Sequence, residues 1–231
     1  MLSWMIRPVL LAILVFIPVA AMAQSTSAPA AASDQTLLKS DELDALLAPI
    51  ALYPDTLLSL ILMASTYPLE VVQAERWVNQ NKNLKGDELK AAAEKQSWDD
   101  SVKSLVATPD VLTMMSTKLD WTQKLGDAAL AQQADVMDAI QRLRAKAQAN
   151  DKLKSTREQN VTVKQVENKE VIVIEPTQPN TVYVAYYNPS VVYGVIFQAD
   201  LGKQTSEIAE HMKSFSPDSA WQKVDVTTQS N

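Results

Sequence analysis

The sequence predicts an α+β protein: a mainly α-helical array of short helices, then a small antiparallel β-sheet, then a short helical tail. Three observations predict it. Apolar residues recur at helical spacing from Leu37 to about Asn150, proline-acid steps cut that stretch into short helices, and from Val161 the period switches to two. With 47% apolar and 21% charged residues, the 231-residue chain has the balance of a protein that buries a core.

The chain opens on an address. Met1–Arg7 carries one positive charge, Pro8–Ala20 is almost unbrokenly apolar, and Ala21-Met22-Ala23 places small residues where a signal peptidase reads. Residues 1–23 are therefore expected to be a signal peptide cleaved before Gln24, leaving a soluble periplasmic product. The apolar run is shorter than the ~20 residues a span needs and contains Pro18, so no transmembrane segment is expected in the mature chain. Residues 24–36 (QSTSAPAAASDQT) lack apolar periodicity and read as a flexible linker.

Residues 37–152 read as a helical domain. Ser40-Asp41-Glu42 looks like a capped start, with Leu43, Leu46, Leu47 and Ile50 at helical spacing. Pro54-Asp55, Tyr67-Pro68 with Glu70, and Thr108-Pro109-Asp110 start further helices, since proline suits a first turn and an acid there faces the positive end of the dipole. Leu57–Met63 is apolar nearly all round and is expected to be the buried central helix. Trp98-Asp99-Asp100 starts another helix, Gly126 is expected to break the next, and Asp127–Asn150 is expected to be the longest. Its Gln133, Asp138, Gln141, Arg142 and Lys146 read as a solvated face carrying an Asp138–Arg142 pair.

Residues 153–194 read as a small β-sheet region packed on the helices. Val161, Val163 and Val166 alternate with polar residues, Glu167-Asn168-Lys169 turns, Val171–Ile174 answers, and Thr181–Tyr187 forms a third strand. Residues 195–231 read as a helical or irregular tail, with an amphipathic helix over Lys203–Phe215 and another start at Ser216-Pro217-Asp218.

Composition excludes much chemistry. With no cysteine, one histidine and four scattered glycines, the chain lacks thiolate zinc sites, two-histidine metal sites and glycine-rich phosphate loops, so neither a metal nor a cofactor is expected. Without the leader, 20 basic residues face 27 acidic ones, a net of −7. No basic patch stands out, and nucleic acid is not an expected partner.

Carboxylate chemistry needs no histidine, so Asp55, Glu70, Asp99 and Asp120 are the candidate catalytic residues, with Glu75 and Asp100 behind them. Asp55, Glu70, Asp99 and Asp100 sit at helix starts, where capping also explains them. His211, the single imidazole, falls on the polar side of the tail helix. Tyr53, Tyr67, Trp77, Trp98 and Trp121 either line a groove for sugar rings or peptides or belong to the core. Tyr183, Tyr186, Tyr187 and Tyr193 form the candidate binding surface, with Tyr193 left near solvent after the Asn188-Pro189 turn. The tail helix covering this face is the alternative.

Four long colinear blocks carry a resemblance: LLAPIALYPDTLLSLILMASTYPLEVVQAERWV (46–78), SWDDSVKSLVATPDVLTMM (97–115), LDWTQKLGDAALAQQADVMDAIQRLR (119–144) and IEPTQPNTVYVAYYNPSVVYG (174–194). They closely resemble an exported bacterial family catalogued as a domain of unknown function, number three-thousand-three-hundred, over roughly Leu37 to Gly194. The resemblance implies an envelope location in Gram-negative bacteria and implies no activity, because the family brings no assigned catalytic or binding residues. Relatives commonly continue into a Pro-, Tyr- and Trp-rich tail, whereas Val195–Asn231 is an ordinary polar stretch.

Two functions follow. The first is a non-enzymatic interaction or scaffolding protein with an envelope protein or peptide as partner. The alternative is a carboxylate-dependent hydrolase of envelope glycan or peptide, which needs two close carboxylates with a raised pKa.

Overall fold

The computed structural model describes residues 37–178, 181–185, 187–194, 207 and 221–225. The leader, the linker, Tyr186, His211 and the expected tail starts at Lys203 and Ser216 lie outside them.

Eight helices follow in succession: α1 (Ser40–Leu47), α2 (Asp55–Ala64), α3 (Pro68–Gln80), α4 (Gly86–Ala93), α5 (Asp100–Leu105), α6 (Pro109–Thr117), α7 (Leu119–Ala131) and α8 (Gln133–Ala149). The proline-acid steps fall where expected. Pro54 is the residue before α2, and Pro68 and Pro109 open α3 and α6, positions where a missing N–H costs nothing. Leu57, Leu58 and Ile61 bury one side of α2, each contributing about 1.5–3 kcal/mol relative to exposure. The helix is not buried all round, because Met63 turns outward.

Gly126 does not break a helix. The chain runs helical through it, and a Cβ there would collide with the Ser65 carbonyl, so the missing side chain lets α7 cross tightly over the end of α2. The break comes at Gln132, whose backbone leaves the helical region (φ −146°, ψ 50°). Its side-chain amide accepts from Leu38 N–H at 2.8 Å and donates to Leu38 C=O at 3.0 Å, pinning the strand of chain that leads into α1. The expected Asp127–Asn150 helix is therefore two helices meeting at a tertiary clamp.

The polar face of α8 is less solvated than its spacing suggests. Arg142 leaves Asp138 and binds the buried Asp44 of α1 through Nη2 at 2.7 Å and Nε at 3.1 Å, while Lys146 reaches the same carboxylate at 2.9 Å. Asp138 instead faces Lys169 at 3.8 Å.

β1 (Gln159–Val166) and β2 (Lys169–Pro176) form an antiparallel hairpin with Val163 opposite Ile172. Glu167 and Asn168 both take positive φ, 49° and 66°, the backbone of a two-residue type I′ turn. The outer edge of β2 is closed by a side chain. Gln141 accepts from Ile172 N–H at 2.8 Å and donates to its C=O at 3.3 Å, so that edge cannot take another strand there. β3 (Thr181–Ala185) consequently pairs elsewhere, antiparallel with β4 (Trp221–Asp225), Thr181 opposite Asp225. A strand thus stands in the tail that was expected to be helical or irregular: β3 needs a ladder partner and β2 does not offer one. After β3, Asn188 caps the short helix α9 (Pro189–Tyr193), accepting from Ser190 N–H at 2.9 Å.

Candidate functional site

Two of the candidate carboxylates come together with three of the candidate aromatics. Tyr67, Glu70, Gln73 and Trp77 recur at three- and four-residue spacing along α3 and face the start of α5. There Glu70 Oε2 accepts from Asp99 N–H at 2.6 Å, and Trp98 Nε1–H donates to Gln73 Oε1 at 3.2 Å. The rings of Trp77 and Trp98 meet edge to face with centroids 5.7 Å apart. Trp98 is buried and Trp77 half-buried, so these two serve chiefly as packing.

Asp99 is the N-cap of α5. Its Oδ1 accepts from Ser101 N–H at 2.9 Å and from Ser101 Oγ–H at 2.5 Å. The Ser101 hydroxyl, then the Ser101 amide, hold the Asp99 carboxyl below its usual range. Tyr67 shifts the other way: the negative charge of Asp99 first, then burial and a hydrogen bond to Asp99, raise its phenol above the ordinary value. Glu70 and Asp99 together form a cap in two layers, one acid on the N-cap amide and one on the amide two residues on. The short helix α5 would otherwise leave both donors open.

Asp55 belongs to a different constellation. Arg144, fully buried in α8, donates from Nε to Ala51 C=O at 2.8 Å, from Nη1 to Ile172 C=O at 2.8 Å and from Nη2 to Tyr53 C=O at 3.1 Å, and Nη2 stands 2.6 Å from Asp55 Oδ1. One guanidinium therefore joins the α1–α2 connector, the first turn of α2 and the hairpin, filling the fork geometry that arginine alone supplies.

The C-terminal tyrosines finish the same connector. Tyr187 O–H donates to Ala48 C=O at 2.8 Å and accepts from Leu52 N–H at 3.2 Å, while Tyr193 O–H lies 3.2 Å from both Ala48 C=O and Tyr187 Oη. Their rings meet edge to face at 6.0 Å. Burial raises both phenols well above the ordinary tyrosine value. The expectation that Tyr193 stays near solvent is corrected: it is 1% exposed, because α9 folds its ring back onto the connector. Tyr187 is half-buried in the same contact. Of the other two binding candidates, Tyr183 is a backbone position in β3 opposite Lys223, and Tyr186 lies outside the described residues.

Asp120 joins neither group. It lines an open groove at the start of α7 with Thr117, Lys118, Lys124 and Glu207, and Lys118 reaches Glu207 at 3.4 Å. Trp121 beside it is buried and donates to Leu46 C=O at 2.9 Å, and Tyr53 is core as well. Sequence reasoning missed Asp44, Gln132, Gln141 and Arg144. The signal available for Arg144 was its place among Ile140, Leu143 and Ala147, close to the apolar stripe of α8 and away from its charged face.

Fold and site define a helix-rich α+β protein in which a hairpin and a short C-terminal helix are locked onto one connector between helices. The chain belongs to the family whose model is described as "Protein of unknown function (DUF3300)", matched over residues 39–223. That match runs past Gly194 into β4, taking in its first three residues, Trp221 to Lys223. The chain is similar to the "Uncharacterized protein YacH" of Escherichia coli (strain K12), 45% identical over 181 residues, with 66% of this chain and 29% of that protein covered. It thus spans less than a third of the length of the curated relative it matches. No solved structure matches.

Proposed function

We propose that the protein is exported to the periplasm or cell envelope and acts there without catalysis, as an interaction or scaffolding protein. Export rests on the leader pattern and the Ala21-Met22-Ala23 site. The non-catalytic reading rests on one observation: Glu70 and Asp99, the two candidate acids that meet, direct their oxygens at the amides of α5. A general acid needs a carboxyl that keeps its proton near neutral pH, and the Ser101 donors push Asp99 the opposite way. Asp55 is likewise committed to Arg144. The carboxylate-hydrolase alternative therefore finds these three acids already engaged in structural contacts.

The test is fractionation followed by crosslinking. The mature chain, recovered from the periplasmic fraction, is expected to begin at Gln24 by N-terminal sequencing, and gentle crosslinking in envelope extract is expected to join it to a discrete protein or peptide. A retained leader overturns the address, and capture of nothing above background overturns the interaction reading.

A further inference from the structure

The turn between α2 and α3 presents apolar side chains to solvent. Leu69 is 74% exposed, Met63 56% and Tyr67 41%, within seven residues of one corner. The two helices, bent by 111° there, are together apolar enough to stand out from the rest of the chain, although no single helix among the described residues is long and apolar enough to cross a membrane. Exposed apolar side chains are ordinary when scattered, but three of them on one fixed corner form a patch. The corner is held rigidly. Ser65 Oγ–H donates to Leu62 C=O at 2.7 Å, Thr66 Oγ1–H to Met63 C=O at 2.7 Å, and Gly126 of α7 is seated against the Ser65 carbonyl.

One side of the patch is negative. Glu70 and Asp99 accept hydrogen bonds from neutral donors, Asp99 N–H and the Ser101 N–H and O–H, and Lys103, whose ammonium sits on Asp100, is the cation that acts on Asp99 as well, so acids outnumber bases on this rim. Asp100, next to them, is fully exposed and shares its charge with Lys103 at 2.9 Å. The field reaches the patch itself, since Asp99 and Glu70 both make it harder to ionise Tyr67. A rigid aromatic ring with apolar neighbours and a charged rim is the composition of an interface anchor.

We propose that the Met63–Tyr67–Leu69 corner, with Glu70 and Asp99 on its rim, docks a segment of another protein that presents apolar side chains next to lysine or arginine. The inference rests on the interaction reading above and adds to it the place and the partner chemistry. Charge complementarity selects the occupant. A second copy of this corner would set Glu70 and Asp99 against themselves, and an anionic lipid surface would be repelled by the same pair. A basic-apolar segment places its aliphatic groups on Leu69 and Met63 and its cation over the Tyr67 ring beside the two carboxylates, where ring face and charge act together.

The probes are three synthetic peptides of equal length, leucine with lysine, leucine with glutamate, and serine with lysine, titrated into the mature protein while its tryptophan fluorescence, to which Trp77 and Trp98 contribute, is followed. The leucine-lysine peptide is expected to saturate and to bind about tenfold tighter than either control. The Tyr67→Ser/Leu69→Ser variant changes no charge and, besides the Tyr67–Asp99 hydrogen bond, removes surface groups; circular dichroism checks its fold. It is expected to weaken the leucine-lysine peptide about tenfold. Leu130→Ser, an equally exposed leucine on α7, is expected to leave it unchanged. No saturable binding, equal binding of the serine-lysine peptide, or full binding to the double variant overturns the corner. So does pelleting with phosphatidylcholine vesicles that only the double variant loses, which would assign the corner to lipid. If crosslinking captures a partner while these titrations fail, the interaction reading stands and the corner alone falls.

Discussion

Asp55 Oδ1 stands 2.6 Å from Arg144 Nη2, tying the first turn of α2 to the middle of α8 across 89 residues of chain. Arg144 is buried and Asp55 is partly exposed, so the two ends of this pair are unequal. Removing the arginine takes three buried hydrogen bonds from the carbonyls of Ala51, Tyr53 and Ile172, the last of which keeps the Gln141 amide. Removing the charge of Asp55 leaves all three bonds in place. Arg144→Ala is expected to cost about 3–5 kcal/mol, and Asp55→Asn about 1 kcal/mol. Urea denaturation of both variants checks the ratio. Equal losses would mean that the ion pair, and not the carbonyl clamp, carries the joint.

Gly126 lies inside a helix, where alanine ordinarily gains up to ~1 kcal/mol. Here the added methyl meets the Ser65 carbonyl, which cannot swing aside because it belongs to the end of α2. Gly126→Ala is expected to destabilise by about 1–3 kcal/mol, the usual penalty for overpacking. Thermal melting reads the sign.

Tyr187 and Tyr193 make the fold sensitive to alkali. Their folded-state pKa values lie above the ordinary tyrosine value, so above about pH 10 the unfolded chain releases protons that the folded chain keeps. Stability is therefore fully present below pH 10 and falls as pH rises toward the folded-state values, by up to ~1.4 kcal/mol per pH unit for each tyrosine. Tyr187→Phe costs about 1–2 kcal/mol at neutral pH, since Leu52 N–H and Ala48 C=O both lose its hydroxyl. Tyr193→Phe costs less, because Tyr187 continues to serve Ala48. Each variant is expected to flatten the decline in urea midpoint between pH 9 and pH 11, and an unchanged slope would contradict the buried assignment.

Asp99 acts at the other end of the pH scale. Its folded pKa is depressed, so its contribution is present above the ordinary aspartate pKa and is lost as pH falls through the folded value. Asp99→Ala is expected to cost about 1 kcal/mol at neutral pH, the worth of a helix N-cap, and to shrink that loss in acid. Asp99→Ser, which keeps a capping oxygen, should recover most of the neutral-pH stability.

The elements governed by local chemistry were legible in the sequence. Pro54-Asp55, Tyr67-Pro68 and Thr108-Pro109 mark real helix starts because a proline and a first-turn acid act within one turn. The Val161–Ile174 hairpin was visible because strand alternation and the Glu167-Asn168 turn are also local. What escaped depends on partners far away in the chain. Gly126 reads as a breaker until Ser65 is seen against it. Arg142 reads as the partner of Asp138 until Asp44, 98 residues earlier, takes it. Tyr193 reads as an exposed ring because nothing nearby in sequence shows that Ala48 accepts its proton. β3 and β4 pair across 36 residues or more, and the closure of β2 by Gln141, which turned β3 toward that partner, has no period. For the candidate site, the sequence named Glu70, Asp99, Tyr67, Trp77 and Trp98 separately, but spacing alone could not show that they meet.

The most direct measurement compares crosslinked capture from envelope extract by the wild-type mature protein and by its Glu70→Gln/Asp99→Asn variant, both checked for folding by circular dichroism. Two capping carboxylates on the rim of a non-catalytic docking surface predict the same discrete partner in both, captured in lower amount by the variant because the rim loses its charge while amide oxygens still cap the helix. Glycan or peptide material that accumulates on the variant and turns over on the wild type, as an uncleaved substrate would, contradicts that prediction and makes Glu70 and Asp99 catalytic.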